Sequence, residues 1–314
     1  MRHRALGRSG LSFAPIVLGG NVFGWTADEA TSLSIIDAFI ARGFACIDTA
    51  DVYSTWVPGH QGGESEKLIG AWLRRGGARE KIIVATKVGM PMPEGRGLSK
   101  AHILASAEAS LKRLNTDYID LYQAHVDDPG TPLEETLSAF AQLIQQGKVR
   151  AIGASNYTAL RLAEARGIAK TYGLPGFTSL QPNYSLVNRK MFEGGVQKFC
   201  ASENLGVISY YALAAGFLTG KYRKASDFEG KPRANVLSHV FDPRSLDILR
   251  EMDKIAARLG VTPAQIAIAW VLAQPGITAP IVSATSLAQL DEILGAADLL
   301  LDAKALDRLD KVSA

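Results

Sequence analysis

The residues best able to move or steer a proton in this sequence are Asp48, Tyr53, Lys87 and His125. A free phenol ionises near pH ~10, and an ammonium beside it favours the phenolate, so Lys87 is expected to lower the pKa of Tyr53. An aspartate against the lysine would offset the cost of desolvating the ammonium. An imidazole can hydrogen-bond a substrate oxygen on which charge develops. The four together would make a proton donor for such an oxygen. Each also has a duller reading: a capping aspartate, a half-buried tyrosine, a surface lysine, a satisfied core histidine. Their placement separates the two. Phe44–Ile47 is a short apolar strand that runs straight into Asp48, Thr49, Asp51, Tyr53 and Ser54. Lys87 lies in the strand-like run Lys81–Val88, and His125 follows the run Tyr118–Ala124. Three consecutive strands therefore deliver all four side chains at or just beyond their C-terminal ends.

The elements that must position them come in a regular alternation. Arg4–Phe13, with Gly7-Arg8-Ser9-Gly10 at its centre, reads as a hairpin. Pro15–Leu18 is a strand ending in Gly19-Gly20-Asn21. Thr26 with Glu29 forms a capping box for a helix with Leu33, Ile36 and Ile40 on one face, stopped by Gly43. After the Phe44 strand come a helix over Glu64–Arg75, the Lys81 strand, and a helix capped by Ser99 with Leu104, Ala107, Leu111 and Leu114 aligned. The Tyr118 strand precedes a helix over Pro132–Gln146. Then follow strand Val149–Ala154, helix Thr158–Tyr172, strand Phe177–Gln181, helix Arg189–Asn204 and strand Gly206–Tyr211. A polar loop, Tyr222–Phe241, interrupts. Helices over Asp242–Leu259 and Thr262–Gln274, a strand over Ala279–Val282, and helices over Ser286–Ala296 and Asp302–Lys311 close the chain.

Eight strands starting roughly thirty residues apart, apolar enough for burial on both faces, predict a parallel sheet. With no linker or composition shift, the expectation is an α/β fold: one (β/α)8 TIM barrel over residues 1–314, with an N-terminal β-hairpin and extra C-terminal helices. A doubly wound sheet is the alternative. It would want G-x-G-x-x-G after an early strand, and Gly19–Gly24 carries Asn21 where the motif needs glycine.

Composition narrows the classes. Of 314 residues 47% are hydrophobic and 21% charged, an ordinary balance for a globular chain. A net charge of +3 with dispersed Lys and Arg gives no nucleic-acid surface. Two lone cysteines, Cys46 and Cys200, make no disulfide framework, and a reducing cytoplasm is expected. The start of the chain has no uninterrupted apolar core and is not expected to be a signal peptide. The most apolar stretch, Val261–Val282, holds Pro263, Pro275 and Pro280 and is not expected to span a membrane. No metal site is expected, since no Cys/His pair has ligand spacing.

In a barrel the site forms at the C-terminal strand ends. Besides the four residues above, those ends carry Gly20 and Asn21, Ser155 and Asn156, Gln181 and Asn183, Tyr210 and Tyr211, and Ser283, Thr285 and Ser286. Here the chain resembles the aldo-keto reductases along nearly its whole length. The segments that carry the resemblance are IDTADVYS from Ile47, ATKVG from Ala85, YIDLYQAHVDDPGTPLEETL from Tyr118, VRAIGASNY from Val149, LQPNYSL from Leu180 and YALAAGFLTGKY from Tyr211. The resemblance implies a barrel, a nicotinamide cofactor and reduction of an aldehyde or ketone, with Asp48, Tyr53, Lys87 and His125 as catalytic tetrad. It implies that Gly20, Asn21 and Asp48 border the cofactor. Ser155, Asn156 and Gln181 would hold the carboxamide, and Tyr210 would stack on the ring. Tyr211, Leu213, Gly216 and Lys221 would meet the pyrophosphate, and Ser283, Thr285, Gln289 and Glu292 the adenosine end. Many relatives have a basic residue near Thr285, whereas Ile281–Ile293 has no Lys or Arg. Arg223 and Arg233 in the polar loop are candidate clasps. NADPH is the expected cofactor, with NADH open.

Tyr53, Trp56 and His125, with Val22, Phe23 and Trp25, are the expected substrate wall, around a small-molecule carbonyl compound. Two other readings stand beside this one. The β subunits of potassium channels resemble the same family and use the cofactor largely as a sensed ligand. A metal-dependent barrel hydrolase would have only His125 and carboxylates such as Asp48 to work with. The sequence leaves oligomeric state open.

Overall fold

The computed structural model describes residues 2–314. A two-stranded antiparallel hairpin, β1 (Arg4–Ala5) and β2 (Ser12–Phe13), stands before the barrel. The barrel strands are β3 (Val17–Gly19), β4 (Cys46–Asp48), β5 (Ile83–Val88), β6 (Ile119–Ala124), β7 (Val149–Ser155), β8 (Ser179–Gln181), β9 (Gly206–Ser209) and β10 (Ile277–Val282). All are parallel to their neighbours in sequence order, and β10 pairs with β3 to close the ring. This is the expected (β/α)8 TIM barrel with its N-terminal hairpin; the doubly wound alternative is excluded by the closure.

The helices are α1 (Glu29–Ala41), α2 (Glu64–Arg74), α3 (Lys100–Leu114), α4 (Leu133–Gln145), α5 (Ala159–Tyr172), α6 (Gly195–Ser202), α7 (Ala234–Val240), α8 (Pro243–Leu259), α9 (Pro263–Ala273), α10 (Leu287–Leu294) and α11 (Ala303–Ser313). Their starts follow local chemistry. Thr158 caps α5, and Thr262 with Gln265 boxes α9, which has proline at its first turn. Ala264 and Ile266–Leu272 of α9 are all buried, which explains why that stretch is so apolar. No single helix among the described residues is long and apolar enough to cross a membrane.

Several boundaries differ from expectation. Asp28, not Thr26, caps α1, its Oδ1 accepting from Thr31 N at 2.8 Å. Residues 22–27 coil into a tight turn in which the amides of Thr26 and Ala27 both donate to Val22 O, so the helix starts later. The expected helix over Arg189–Asn204 shrinks to α6, because Gly194 takes φ 87° and breaks the run. The polar loop Tyr222–Phe241 holds α7, whose Leu237 is fully buried, and a 3-10 turn at Ala225–Asp227. The helix expected over Ser286–Ala296 ends at Leu294 and passes into a 3-10 turn.

Two cores result. The larger lies between barrel and helices. The smaller fills the barrel with Val17, Cys46, Ala85, Leu121, Ala151, Ile208, Ala279 and Ile281, joined from below by Leu6, Leu11 and Phe13 of the hairpin. The hairpin therefore plugs the N-terminal end, and Arg4 pins it by donating to Leu272 O and Ile277 O, each at 3.1 Å. The opposite end stays polar and open.

Candidate active site

The open end is built by side-chain alternation. On β5, Ala85 and Lys87 point inward, and so does Asp48 at the end of β4. Lys87 Nζ donates to Asp48 Oδ2 at 2.7 Å, to Thr49 O at 2.8 Å and to the Tyr53 hydroxyl at 2.9 Å. Tyr53 donates to the same Asp48 Oδ2 at 3.2 Å. Lys87 and Asp48 are 0% and 1% exposed, so this is a buried pair whose ammonium spends all three donors on protein oxygens. Tyr53 stands on the loop after β4. That loop turns at Ser54, φ 76°, whose hydroxyl donates to Phe23 O at 3.2 Å.

His125 extends β6, its amide donating to Val88 O at 2.8 Å. Its ring faces Tyr53 edge-on, with centroids 6.1 Å apart. The Nδ1 atom is buried without a partner, which leaves Nε2 to meet a substrate oxygen. Burial, helped by the Lys87 charge, holds the imidazole well below the ordinary histidine range, so it is neutral near pH ~7.

One expectation needs correcting. Tyr53 is not acidified here: burial, then the charge and hydrogen bond of Asp48, push its pKa well above that of a free phenol. The phenol lies 2.9 Å from the cation and 3.2 Å from the anion, and burial is the largest cause of the shift. Burial also lowers the Lys87 pKa, against the pull of Asp48.

The aromatic residues form a continuous wall. Trp25 and Trp56 meet edge to face at 5.6 Å, and Trp56 meets Tyr53 at 6.0 Å. Trp56 is 47% exposed, so its face is available at the rim.

Across the mouth the polar residues join in a chain. The Tyr210 hydroxyl donates to Asn156 Oδ1 at 2.8 Å; Asn156 Nδ2 donates to Ser155 Oγ at 3.1 Å and to His125 O at 3.0 Å. Ser155 Oγ donates to Gln181 O at 2.8 Å, and Gln181 Nε2 donates to Asp48 Oδ1 at 2.8 Å. The backbone is left-handed at Asn156 (φ 60°) and Tyr211 (φ 60°), conformations that cost energy in a non-glycine residue and gather at functional sites. Ala214, Ala215 and Gly216 add a second left-handed run after Leu213. Gly20 sits in a 3-10 turn against β4, where a Cβ would lie 2.7 Å from Ser65 Oγ.

The outer cofactor positions are less tightly joined. Ser283 donates to Asn21 Oδ1 at 2.6 Å, tying β10 to the turn after β3. Gln289 folds its Oε1 onto Thr285 N at 2.9 Å and Thr285 Oγ1 at 3.1 Å, so the donors at the start of α10 are partly engaged already. Glu292 joins only through its carbonyl, which accepts from Gln265. Lys221 Nζ lies 5.0 Å over the ring of Tyr222. Arg233, just before α7, stacks its guanidinium 5.4 Å over the Trp25 ring and also lies near the Tyr211 and Tyr222 hydroxyls.

Sequence reasoning missed three contributors. Thr49 supplies the carbonyl that completes the lysine's shell. Gln123, level with Lys87 in the β5–β6 register, accepts from Gln181 Nε2 at 3.4 Å. It alternates with Leu121 on the inner face of β6, a period-two signal that could have found it. The third is a buried acid group behind β5. Glu66 takes a hydrogen bond from Thr86 and one from Arg113 Nε, each at 2.6 Å. Burial and the neighbouring Glu66 push Asp51 up to about 7. The Tyr122 hydroxyl in the same cluster is buried without a partner. Among the described residues no group of three or more His, Cys, Asp or Glu gathers as a metal site would require.

Comparison with known proteins agrees with this architecture. The family model described as "Aldo/keto reductase family" matches residues 15–314. An oxidoreductase of Bacillus subtilis, YrpG, whose name calls it uncharacterized, is 35% identical over 99% of this chain and 96% of its own. A protein of Arabidopsis thaliana named a probable voltage-gated potassium channel subunit beta is 34% identical over 99% and 96% of the two chains. The B. subtilis aldo-keto reductase YhdN is 34% identical over 88% of this chain and 81% of its own. With the closed barrel and a match that spans nearly every element of it, the chain belongs to the aldo/keto reductase family, and so to the nicotinamide-dependent oxidoreductases that act on small-molecule carbonyls.

Proposed function

We propose that this protein reduces an aldehyde or ketone to the alcohol with NADPH, Tyr53 serving as general acid and Lys87, Asp48 and His125 assisting. One observation carries the reading. The Tyr53 hydroxyl lies 2.9 Å from Lys87 Nζ and 3.2 Å from Asp48 Oδ2, beside a neutral His125, at the open end of the barrel. No side chain donates hydride, and the bound nicotinamide supplies it.

The residues present fit such a group. Ser155, Asn156 and Gln181 offer an amide-reading surface, Tyr210 an aromatic face, and the left-handed run at Ala214–Gly216 a concave backbone beside Lys221. A phenol held protonated by its surroundings has a proton to give, and hydride addition, which turns the carbonyl oxygen into an alkoxide more basic than a phenolate, supplies the driving force for its transfer. Lys87 then stabilises the phenolate left behind, and Asp48 keeps Lys87 in place. His125, neutral, donates a hydrogen bond to the same oxygen rather than a proton. The walls formed by Trp25 and Trp56 suit a carbonyl of moderate size with an apolar body. The buried, unpaired Cys46 and Cys200 fit a reducing cytoplasm.

The test is Tyr53→Phe. Turnover of NADPH against a panel of aldehydes, sugars, quinones and ketones is expected to fall by about 10²–10⁴, while NADPH affinity stays within about threefold, because the ring and its packing remain. Near-native turnover would refute the assignment. A second reading, a cofactor-sensing regulatory subunit with little turnover, draws on the Arabidopsis relative's name and on a rice relative that is 32% identical and named likewise. Tight NADPH binding by the wild type with no turnover of any carbonyl would favour it.

A further inference from the structure

Inside the barrel, Gln123 stands where the apolar filling gives way to the polar mouth. It is fully buried, above Cys46, Ala85, Leu121, Ala151 and Ile208 and level with Lys87 in the register. Its Nε2 has no partner, a deficit that an apolar residue of the same volume would not carry. The space it occupies is kept by Gly153, where a Cβ would lie 3.2 Å from Gln123 Cγ and 2.3 Å from Ser179 Oγ.

The pattern of donors explains its presence. Asp48 can only accept, so the atom of Gln181 at 2.8 Å from Asp48 Oδ1 is Nε2. The second hydrogen of that nitrogen goes to Gln123, at 3.4 Å, which makes the facing atom Oε1. Two acceptors thus hold the Gln181 amide in one orientation. Its nitrogen is turned to the tetrad carboxylate, leaving Oε1 as the acceptor for whatever enters the mouth.

We propose that Gln123 is a positioning residue. From beneath, it fixes the Gln181 amide so that Asp48 keeps a donor on Oδ1 while an acceptor is presented to an amide N–H of the cofactor. This rests on the reading of the site given above. Without Gln123 the Gln181 amide is held by Asp48 Oδ1 alone. Its plane can swing about that bond, which takes Oε1 off the cofactor, weakens the bond to Oδ1 and lets Asp48 compete harder for the Tyr53 proton through Oδ2.

The experiment is a double-mutant cycle of Gln123→Leu and Gln181→Leu in the full-length protein. It is read by Tm, by NADPH affinity from fluorescence, and by the pH profile of kcat with the best carbonyl of the panel. Gln123→Leu is expected to leave Tm unchanged or raised, to weaken NADPH binding by about threefold, to lower kcat by about tenfold and to displace the alkaline limb. In the Gln181→Leu background the same change is expected to do nothing further. Wild-type kcat, profile and affinity in Gln123→Leu would overturn the proposal. So would a loss that persists undiminished in the Gln181→Leu background, which marks a packing defect. If Gln123→Leu does not fold, Gln123→Met serves with the same expectations. Should the wild type bind NADPH yet turn over nothing, the catalytic reading fails, and the affinity arm of the cycle still decides this one. Failure of the wild type to bind NADPH or NADH overturns both.

Discussion

At the scale of single residues, the site's electrostatics depend mainly on burial. His125 is held neutral and Tyr53 protonated, so neither titrates between pH ~6 and ~8. Lys87 is different: its pKa lies below the ordinary 10.5, and its cation is the group the proposed mechanism cannot lose. A group with a lowered basic pKa is charged below that value and neutral above it. Turnover in the reductive direction is therefore expected to be flat through neutrality and to fall with rising pH before the usual lysine range, as a pH profile of kcat will show. Lys87→Met should abolish the profile along with the activity. Asp51 provides a second titration, expressed in stability. Its pKa rises from 3.8 unfolded to about 7 folded. The folded state thus binds the extra proton across that window, and stability present at acid pH is lost as pH rises through it, by up to about 4 kcal/mol. Asp51→Asn removes this slope. The Tm of the variant relative to wild type is expected to climb between pH ~5 and ~8; a constant difference would show that Asp51 does not titrate there. The cluster of Asp48, Tyr53, Lys87 and His125 was legible in the sequence because each stands at or just beyond the C-terminal end of a strand. Gln123 and the Asp51 group were not, because their meaning lies in contacts such as Gln181–Asp48, 133 positions apart.

Among elements, the barrel strands could be read directly from apolar runs bounded by turns, since burial on both faces leaves a strong mark. Helix starts depended on which of several capping residues the approaching chain could use. Asp28 prevailed over Thr26 only because the turn from Val22 consumes the earlier positions. α7 was missed because seven residues with one deeply buried side chain, Leu237, carry little periodicity. The contact most telling at this scale joins α2 to α3. Glu66 on α2 is fully buried and, among the described residues, pairs only with Arg113 of α3. Arg113→Met would leave that carboxylate beside Asp51 with one hydroxyl for company. A loss of about 3–5 kcal/mol in urea denaturation is expected.

For the molecule as a whole, closure of β10 on β3 leaves the eight-stranded sheet no free edge, and its strands share one interior. Leu6, Leu11 and Phe13 complete that interior, and burying each contributes about 1.5–3 kcal/mol. Their sum rivals the net stability of an ordinary domain. Deleting residues 2–13 is therefore expected to abolish cooperative unfolding, as judged by thermal melts followed by fluorescence and circular dichroism together.

The same hairpin has a kinetic consequence. It completes an interior already filled by side chains, so on the proposed reading both reactants meet at the C-terminal mouth alone, and whichever binds deeper must arrive first and depart last. Since the wall of Trp25 and Trp56 stands at the rim, the proposed reaction is expected to take the nucleotide first and release it last. Product-inhibition patterns should then show a compulsory order, with NADP⁺ competitive against NADPH alone.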